Sequence, residues 1–493
     1  MLLLGIDLGT SSVKVSVVDA NSQVCIASAR FPERETATVS LKPGWAEQSP
    51  EMWWDHVQKA ILKLQEDLVY NSLDIGAIGI SYQMHGLVMV DRNHKVLRDS
   101  IIWSDNRAVH IGKLALEAIG KEKCLKQLLN APGNFTSSKL AWVRQYEPEI
   151  YEKTFKIMLP GDFIAMKLTG EITTSIAALS EGVFWDFQQN ELSKELFDYY
   201  WLDISLIPNI KQVFEEHGTL TTEVANKLSL REGIPVSYKA GDHPNNALSL
   251  NVMQPGEIAA TAGTSGVIYA VSEQLIFDQG GRINSFAHVN HQPQRHRIGL
   301  LLCINGTGIL NRWVRDIAGT HLNYQQMNEA ARQIHPGSNG LMVFPFGNGA
   351  ERMLHNKTPG ASVQNIDLSL HTPLHLYRAT QEGIAFAFRY GLDIMRQNGL
   401  YANIIRAGKA NMFLSGIFTE SFVNTLNVSL EMYNNEGSIG AAIGAGIGAG
   451  IYKSEQEAFT HIKPIQSLEP DCHKIYNEHY AKWKEQLEHL LKQ

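Results

Sequence analysis

Two short segments of this chain carry the residue types that hold phosphate, and other positions carry groups suited to an alcohol. Asp7 stands just ahead of Gly9-Thr10-Ser11, and Gly263-Thr264-Ser265 repeats the tripeptide. A glycine-containing hairpin turn lets backbone N–H groups converge on an anion, and Thr and Ser hydroxyls add donors. Lys14 follows the first turn, where it can reach phosphate or simply stay solvated. Asp7 ends a strand at the turn's mouth, where a carboxylate can also do no more than brace the turn. Asp242 follows Pro235-Val236-Ser237-Tyr238. Phosphoryl transfer to an alcohol needs such a carboxylate within reach of the attacking hydroxyl, to accept its proton. The same aspartate fits a helix N-cap. Met84 and His85 precede Gly86. A neutral imidazole donates and accepts, which suits a hydroxyl, although a lone histidine is more often structural.

The elements that position these groups form a repeat. Residues 7–18, DLGTSSVKVSVV, and 261–272, TAGTSGVIYAVS, align at a constant offset of 254. Both read as strand, tight turn, strand: Leu2–Ile6 and Glu257–Ala260 lead in, and the apolar residues that follow alternate as in a half-buried strand. Duplication of a domain explains the half-length spacing better than chance recurrence of a common tripeptide. Between the turns, Trp53, Val57, Ala60, Ile61, Leu64 and Leu68 recur at helical spacing after a start at Ser49-Pro50. Ala77–Ser81 reads as a strand, and Ala379–Met395 and Tyr476–Leu491 read as helices. Strands mixed with helices imply an α/β architecture in layers. A boundary near 246–256 gives two domains, 1–246 and 247–493, each opening on a strand that leads into a turn.

Composition narrows the functions. With 493 residues, of which 44% are hydrophobic, the chain holds more than one core. Its net charge of −7 argues against a nucleic acid or an anionic membrane as partner. The apolar start ends at Asp7, too soon for a signal peptide. The stretch 439–452, IGAAIGAGIGAGIY, is shorter than a membrane span and reads as a buried helix packed closely on a neighbour. Cys25, Cys124, Cys303 and Cys472 lie far apart with no metal or redox spacing, which fits a reducing cytoplasm. No Walker A pattern occurs, since Gly-Lys at 112–113, 120–121 and 408–409 is never followed by Ser or Thr. ATP binding would therefore use the paired hairpins.

Several motifs resemble one family, the FGGY carbohydrate kinases. GIDLGTSSVK is similar to that family's opening, and FTSSKLAWVRQYEP at 135–148 to its first signature segment. QMHG at 83–86 and WSDNR at 103–107 resemble its xylulokinase branch, and AGDHPNNA at 240–247 falls where the family carries its catalytic aspartate. The resemblance implies two actin-like, ribonuclease-H-like domains with a cleft between them, and ATP-dependent phosphorylation of D-xylulose with Mg2+. It assigns Asp242 as base and sugar ligand, and Met84, His85, Trp103 and Asp105 to the sugar. Asp105-Asn106-Arg107 can instead be only an internal ion pair, and Trp103 a sugar wall or plain core. Asp7 goes to the metal. Nucleotide contacts fall to Gly9, Thr10, Ser11, Lys14, Gly263, Thr264, Ser265, Gly308, Gly408 and Asn411. Gly308 matches a glycine that lets backbone approach phosphate.

Two departures stand out. The adenine loop typically has Gly-Gly, whereas this chain has Arg406-Ala407-Gly408-Lys409, adding a methyl and a charge that bear on nucleotide affinity. His243-Pro244 and Asn246 replace the usual Asn and small residues, which bears on sugar preference. The near rivals are kinases of gluconate, ribulose or a polyol. Gluconate would want a cation, and QMHG offers only a charged His85. Glycerol is disfavoured because Met84-His85 replaces the Arg-Glu pair of glycerol kinases. The distant rival is an actin- or Hsp70-like ATPase without a sugar, and a non-catalytic sugar sensor would need Asp242 lost. A homodimer is left open.

Overall fold

The computed structural model describes residues 1–66, 69–318, 322–434 and 436–492. Two twisted sheets organise it. The first contains β1 (Leu2–Leu8), β2 (Val13–Asp19), β3 (Cys25–Phe31), β4 (Ile75–Tyr82) and β5 (Val236–Gly241), in the order β5-β4-β1-β2-β3. The second contains β6 (Glu257–Ala262), β7 (Gly266–Ser272), β8 (Asn284–Ala287), β9 (Ile298–Ile304), β10 (Ile404–Gly408), β11 (Leu430–Tyr433) and β12 (Gln466–Leu468). Its order is β8-β9-β7-β6-β10-β11-β12.

The inner five strands of the second sheet repeat the first. In each, a three-stranded antiparallel meander carries the phosphate-type turn in its first hairpin. Two parallel strands then extend the sheet on the other side: β4 and β5 beside β1, β10 and β11 beside β6. The duplication expected from two tripeptides is thus a duplication of topology.

The helices supply the layers. α1 (Pro50–Leu64) has Pro50 at its first position, where the missing N–H costs nothing, and buries Trp53, Val57, Ala60, Ile61 and Leu64. Leu68 lies outside the described residues. α2 (Thr136–Tyr146), the six-residue α3 (Ile176–Glu181), α4 (Asp242–Ser249), α5 (Gly308–Ala318), α6 (Pro373–Gln397), α7 (Gly437–Gly448) and α8 (His473–Leu490) follow along the chain.

α7 departs most from a simple reading of halves. Its residues belong to the second half, yet it lies across β1, β2, β4 and β5 of the first sheet. A Cβ on Gly5 would stand 1.8 Å from the Ser438 carbonyl oxygen, and one on Gly79 would stand 2.0 Å from that of Ala441. Glycine at both strand positions lets the helix backbone rest directly on the sheet. The Gly/Ala-rich stretch is the closely packed buried helix its composition suggests, and among the described residues no helix is long and apolar enough to cross a membrane.

The half-buried reading of the strands after the turns does not hold, because α7 covers β2 while α4 and α6 pack on β7. β7 is buried at every position, and Ser16 in β2 is covered, its hydroxyl 2.8 Å from that of Ser438. A cut at 246/247 would fall inside α4, and α4 packs on α7, with Gly440 close against Ser249. One apolar core runs through both halves, while a second lies between the outer face of the first sheet and α1.

Candidate active site

A cavity of about 670 Å³ opens between the sheets. It gathers Thr10, Met84, His85, Trp103 and Asp242 from the first half and Thr264 and Ser265 from the second. A second cavity of about 350 Å³ runs on from it past Gly263, Thr264, Gly308 and Asn411. Thr264 lines both, so the second turn is the junction between them.

The two turns differ in loop length, residues 9–12 against 263–265, and in the use of their hydroxyls. In the first, Thr10 Oγ1 donates to Gln83 Oε1 at 3.1 Å and accepts from Trp103 Nε1 at 2.9 Å. That hydroxyl has no proton left for phosphate, and it anchors the half-exposed Trp103 at the cavity wall. Among the described residues, the N–H groups of Thr10, Ser11 and Ser12 donate to no protein atom and remain for an anion. In the second turn the carbonyls are engaged instead. Gly263 O accepts from Gly308 N and Thr307 Oγ1, both at 2.8 Å, and Thr264 O accepts from Ile309 N at 3.3 Å. These bonds turn the N–H side of the hairpin outward, with Thr264 and Ser265 exposed. Gly308 lines the second cavity and also has a packing role. A Cβ there would meet Gly263 O at 2.5 Å, so its glycine lets α5 press against the hairpin carbonyls.

The end of the first cavity that holds Met84 and His85 is built where β4 stops. Beyond Tyr82 the chain turns through His85, whose φ of 62° is unusual for a residue with a side chain. Its peptide is clamped on both sides. The His85 N–H donates to Glu181 Oε1 at 2.9 Å, and the His85 carbonyl accepts from Lys139 Nζ at 2.8 Å. Lys139 is buried in α2, also donates to the Ile102 carbonyl, and is pulled down by burial to about 7. His85 Nδ1 lies 3.1 Å from the Glu181 carbonyl. A proton on Nδ1 satisfies that contact and leaves Nε2 as an acceptor toward the cavity. Burial, with Lys139, His243 and Arg352 nearby, holds the imidazole well below its usual range, so it is neutral.

Asp242 opens α4, and the cap position belongs to Gly241, so the aspartate is not the N-cap. Its Oδ1 accepts from the His243 N–H at 2.8 Å, and its side chain lines the cavity together with His243. A side chain at 241 would collide with Met84 and with Glu181 Oε2, which explains the glycine.

Asp7 sits one residue before the end of β1, opposite Lys14, with Gly437 at the start of α7 against its carboxylate. Burial raises it to about 6. Asp242 and Glu436 add to the rise, while the Ser81 hydroxyl and Lys14 oppose it. In the unfolded chain the group titrates near 3.8, so stability falls as pH rises from about 4 to about 6. Above that window the ligand-free protein bears the full cost of an ionised Asp7. Asp7→Asn should therefore melt at a higher temperature than the unaltered protein at pH 8, with the gain fading toward pH 4. Equal calorimetric melting points at pH 8 would contradict this.

Several sequence assignments come out differently. Asp105 is fully buried and lines neither of these two cavities. It accepts from the Ala46 N–H and binds Arg107 through both oxygens in an internal ion pair. Lys14 is half-exposed and lies 3.9 Å from Glu436, also off the cavity wall. Gly408 ends β10 outside both linings, while Asn411, with φ 54°, lines the second cavity. Of the loop's basic residues, Arg406 pairs with Glu257 and Glu431 at 3.0 Å each. The Ala407 methyl points into the core of the second sheet.

Two lining or supporting groups carried no motif. Arg352 reaches the first cavity from the second half, its guanidinium 5.0 Å from the Phe135 ring centroid. Among the described residues it has no ion-pair partner. Glu181 was visible only as an acid inside the apolar run IAALSEGVFW, a placement that calls for a buried partner.

Residues 2–249 match the N-terminal domain of the FGGY family of carbohydrate kinases, and residues 258–447 match its C-terminal domain. Over 472 residues the chain is 28% identical to the xylulose kinase of Escherichia coli K12, covering 95% of this chain and 93% of that one. Among solved structures it resembles a xylulose kinase from Rhodospirillum rubrum, with TM-score 0.88, 23% identity and all of both chains covered. It also resembles a gluconate kinase from Lactobacillus acidophilus, with TM-score 0.89, 21% identity, and 99% and 98% of the two chains covered. At such identities these structures speak to the fold, a two-domain actin-like α/β architecture.

Proposed function

The chain belongs to the FGGY family of carbohydrate kinases, phosphotransferases acting on an alcohol group, and from that premise we propose that it phosphorylates D-xylulose with ATP. One observation carries the reading. Asp242, Met84 and His85 line a single cavity that meets a second, nucleotide-sized cavity at Thr264. Curated relatives named xylulose kinase over most of the chain support the choice of sugar. The rival of an assembly or chaperone ATPase falls away, because both halves match carbohydrate kinase domains.

In the proposed reaction the ketose lies along the first cavity with its terminal hydroxyl at Asp242. The hydroxyl oxygen bonds to the γ-phosphorus of ATP, Asp242 takes its proton, and the bond to the β-phosphate oxygen breaks to release ADP. His85 Nε2 accepts from a sugar hydroxyl, and Trp103 and Met84 supply apolar walls. The free N–H groups of the two turns face the phosphates. Asp7 is the candidate Mg2+ ligand. Magnesium takes few carboxylates and keeps several waters, so a single aspartate is enough to hold it. Bound there, Mg2+ would offset phosphate charge. The free cysteines agree with a cytosolic setting.

A coupled ADP-release assay across ketoses, polyols and aldonates tests the reading, with D-xylulose expected to give the highest kcat/KM. A Met84→Ala/His85→Ala protein is expected to raise the KM for D-xylulose at least tenfold, about 1.4 kcal/mol, with the KM for ATP unchanged. An unchanged sugar KM would remove the sugar site from this end of the cavity.

A carboxylate-bearing sugar such as gluconate is the second reading, and Arg352 is the observation that favours it. A partly buried guanidinium without an ion-pair partner suits bidentate binding of a carboxylate. Preference for gluconate in the same panel, lost in Arg352→Ala, would select this reading.

A further inference from the structure

Glu181 is buried, with 2% of its surface exposed, and it takes no part in the proton or phosphoryl transfer just described. It closes the short helix α3, so its side chain and its backbone carbonyl sit at one helix end. Both face His85. Oε1 accepts the His85 N–H at 2.9 Å, and the carbonyl lies 3.1 Å from Nδ1. Oε2 lies 3.4 Å from the Tyr82 hydroxyl and, with Met84, is what a side chain at Gly241 would strike. The preceding residue reaches into the other half, where Ser180 Oγ accepts from the Ala287 N–H of β8 at 2.9 Å. β8 carries Phe286, whose ring is 5.4 Å from that of His85. One helix end therefore fixes the histidine's backbone, its ring nitrogen and the strand that packs against its ring.

We propose that Glu181 is the positioning residue of the sugar site, holding His85 in its left-handed conformation so that Nε2 faces the substrate. A residue with a Cβ at φ 62° resists that conformation. Without Glu181 the buried His85 N–H loses its acceptor, and the peptide is free to turn. The role needs an acceptor oxygen and no charge. Burial, with Asp242 and Asp162 nearby, pushes the Glu181 carboxyl well above its usual range, which keeps a second negative charge away from Asp242. This rests on the reading of Met84 and His85 as the sugar end.

The test compares Glu181→Leu, Glu181→Gln and His85→Ala in the full-length enzyme. Glu181→Leu fills the space without an acceptor. It is expected to raise the sugar KM about tenfold, while the KM for ATP and the sugar-free ATPase rate stay within about twofold. A merely structural role would move all three together. Glu181→Gln keeps an acceptor and cannot ionise, so its sugar KM should stay within about threefold of the unaltered enzyme from pH 6 to 9. A tenfold rise in Glu181→Gln overturns the proposal even if Glu181→Leu does not fold. So does a folded Glu181→Leu with an unchanged sugar KM, provided His85→Ala raises it. If His85→Ala itself leaves the sugar KM unchanged, the sugar-site reading fails first.

Discussion

Asp242→Asn is expected to lower kcat by about 10²–10⁴-fold while leaving the KM values for sugar and ATP nearly as they were. The substitution keeps the shape of the side chain, and the amide oxygen can still accept the His243 N–H that Asp242 Oδ1 takes now. Only the capacity to receive the hydroxyl's proton is lost. Because Gly241 holds the cap position, the start of α4 does not depend on a charge at 242, and the variant should melt close to the unaltered protein. A steady-state assay with a coupled ADP readout decides the matter. Near-normal turnover in Asp242→Asn would remove the base from the reaction.

The second large effect is on stability and lies far from the chemistry. Gly79→Ala is expected to destabilise the protein by about 3 kcal/mol or more, the upper end of what overpacking costs. The added methyl would stand 2.0 Å from the Ala441 carbonyl oxygen and 3.1 Å from the Ala445 Cβ. The first obstacle is helix backbone, so no rotamer change relieves it, and α7 would have to lift from β4 and its neighbours. Gly5→Ala meets the Ser438 carbonyl in the same way. Chemical denaturation of the purified proteins gives the measurement. A loss below about 1 kcal/mol at Gly79 would show that the helix yields easily.

The readable parts of this sequence were those written in a few adjacent residues. A tripeptide and the apolar strands beside it revealed two hairpins, and their spacing revealed the repeat, because a strand–turn–strand unit is specified locally. Asp242 and the Met84-His85 pair were equally local, and the structure brings them into one cavity with Thr10 and Thr264. Features set by distant chain were not readable. The burial of β7 and of Ser16 depends on partners far along the sequence, so an alternating pattern suggested an open face that does not exist. Asp105 sat in a convincing motif, yet Arg107 and the Ala46 N–H occupy its carboxylate. Arg406 made residues 406–411 look basic, yet Glu257 and Glu431 pair with it. Charged residues have destinations that only three-dimensional neighbours decide.

The helix Gly437–Gly448 that roofs the first sheet has a consequence for how the protein is made. On a ribosome, β1 to β5 are complete once residue 241 has emerged, but their cover is encoded almost 200 residues later. At ordinary elongation rates of about 5–20 residues per second, the nascent first half waits roughly 10–40 s with a glycine-lined apolar surface bare. During that interval the emerging chain is a client for holding chaperones, and a message broken before codon 437 would yield a sticky fragment with no working half-enzyme in it.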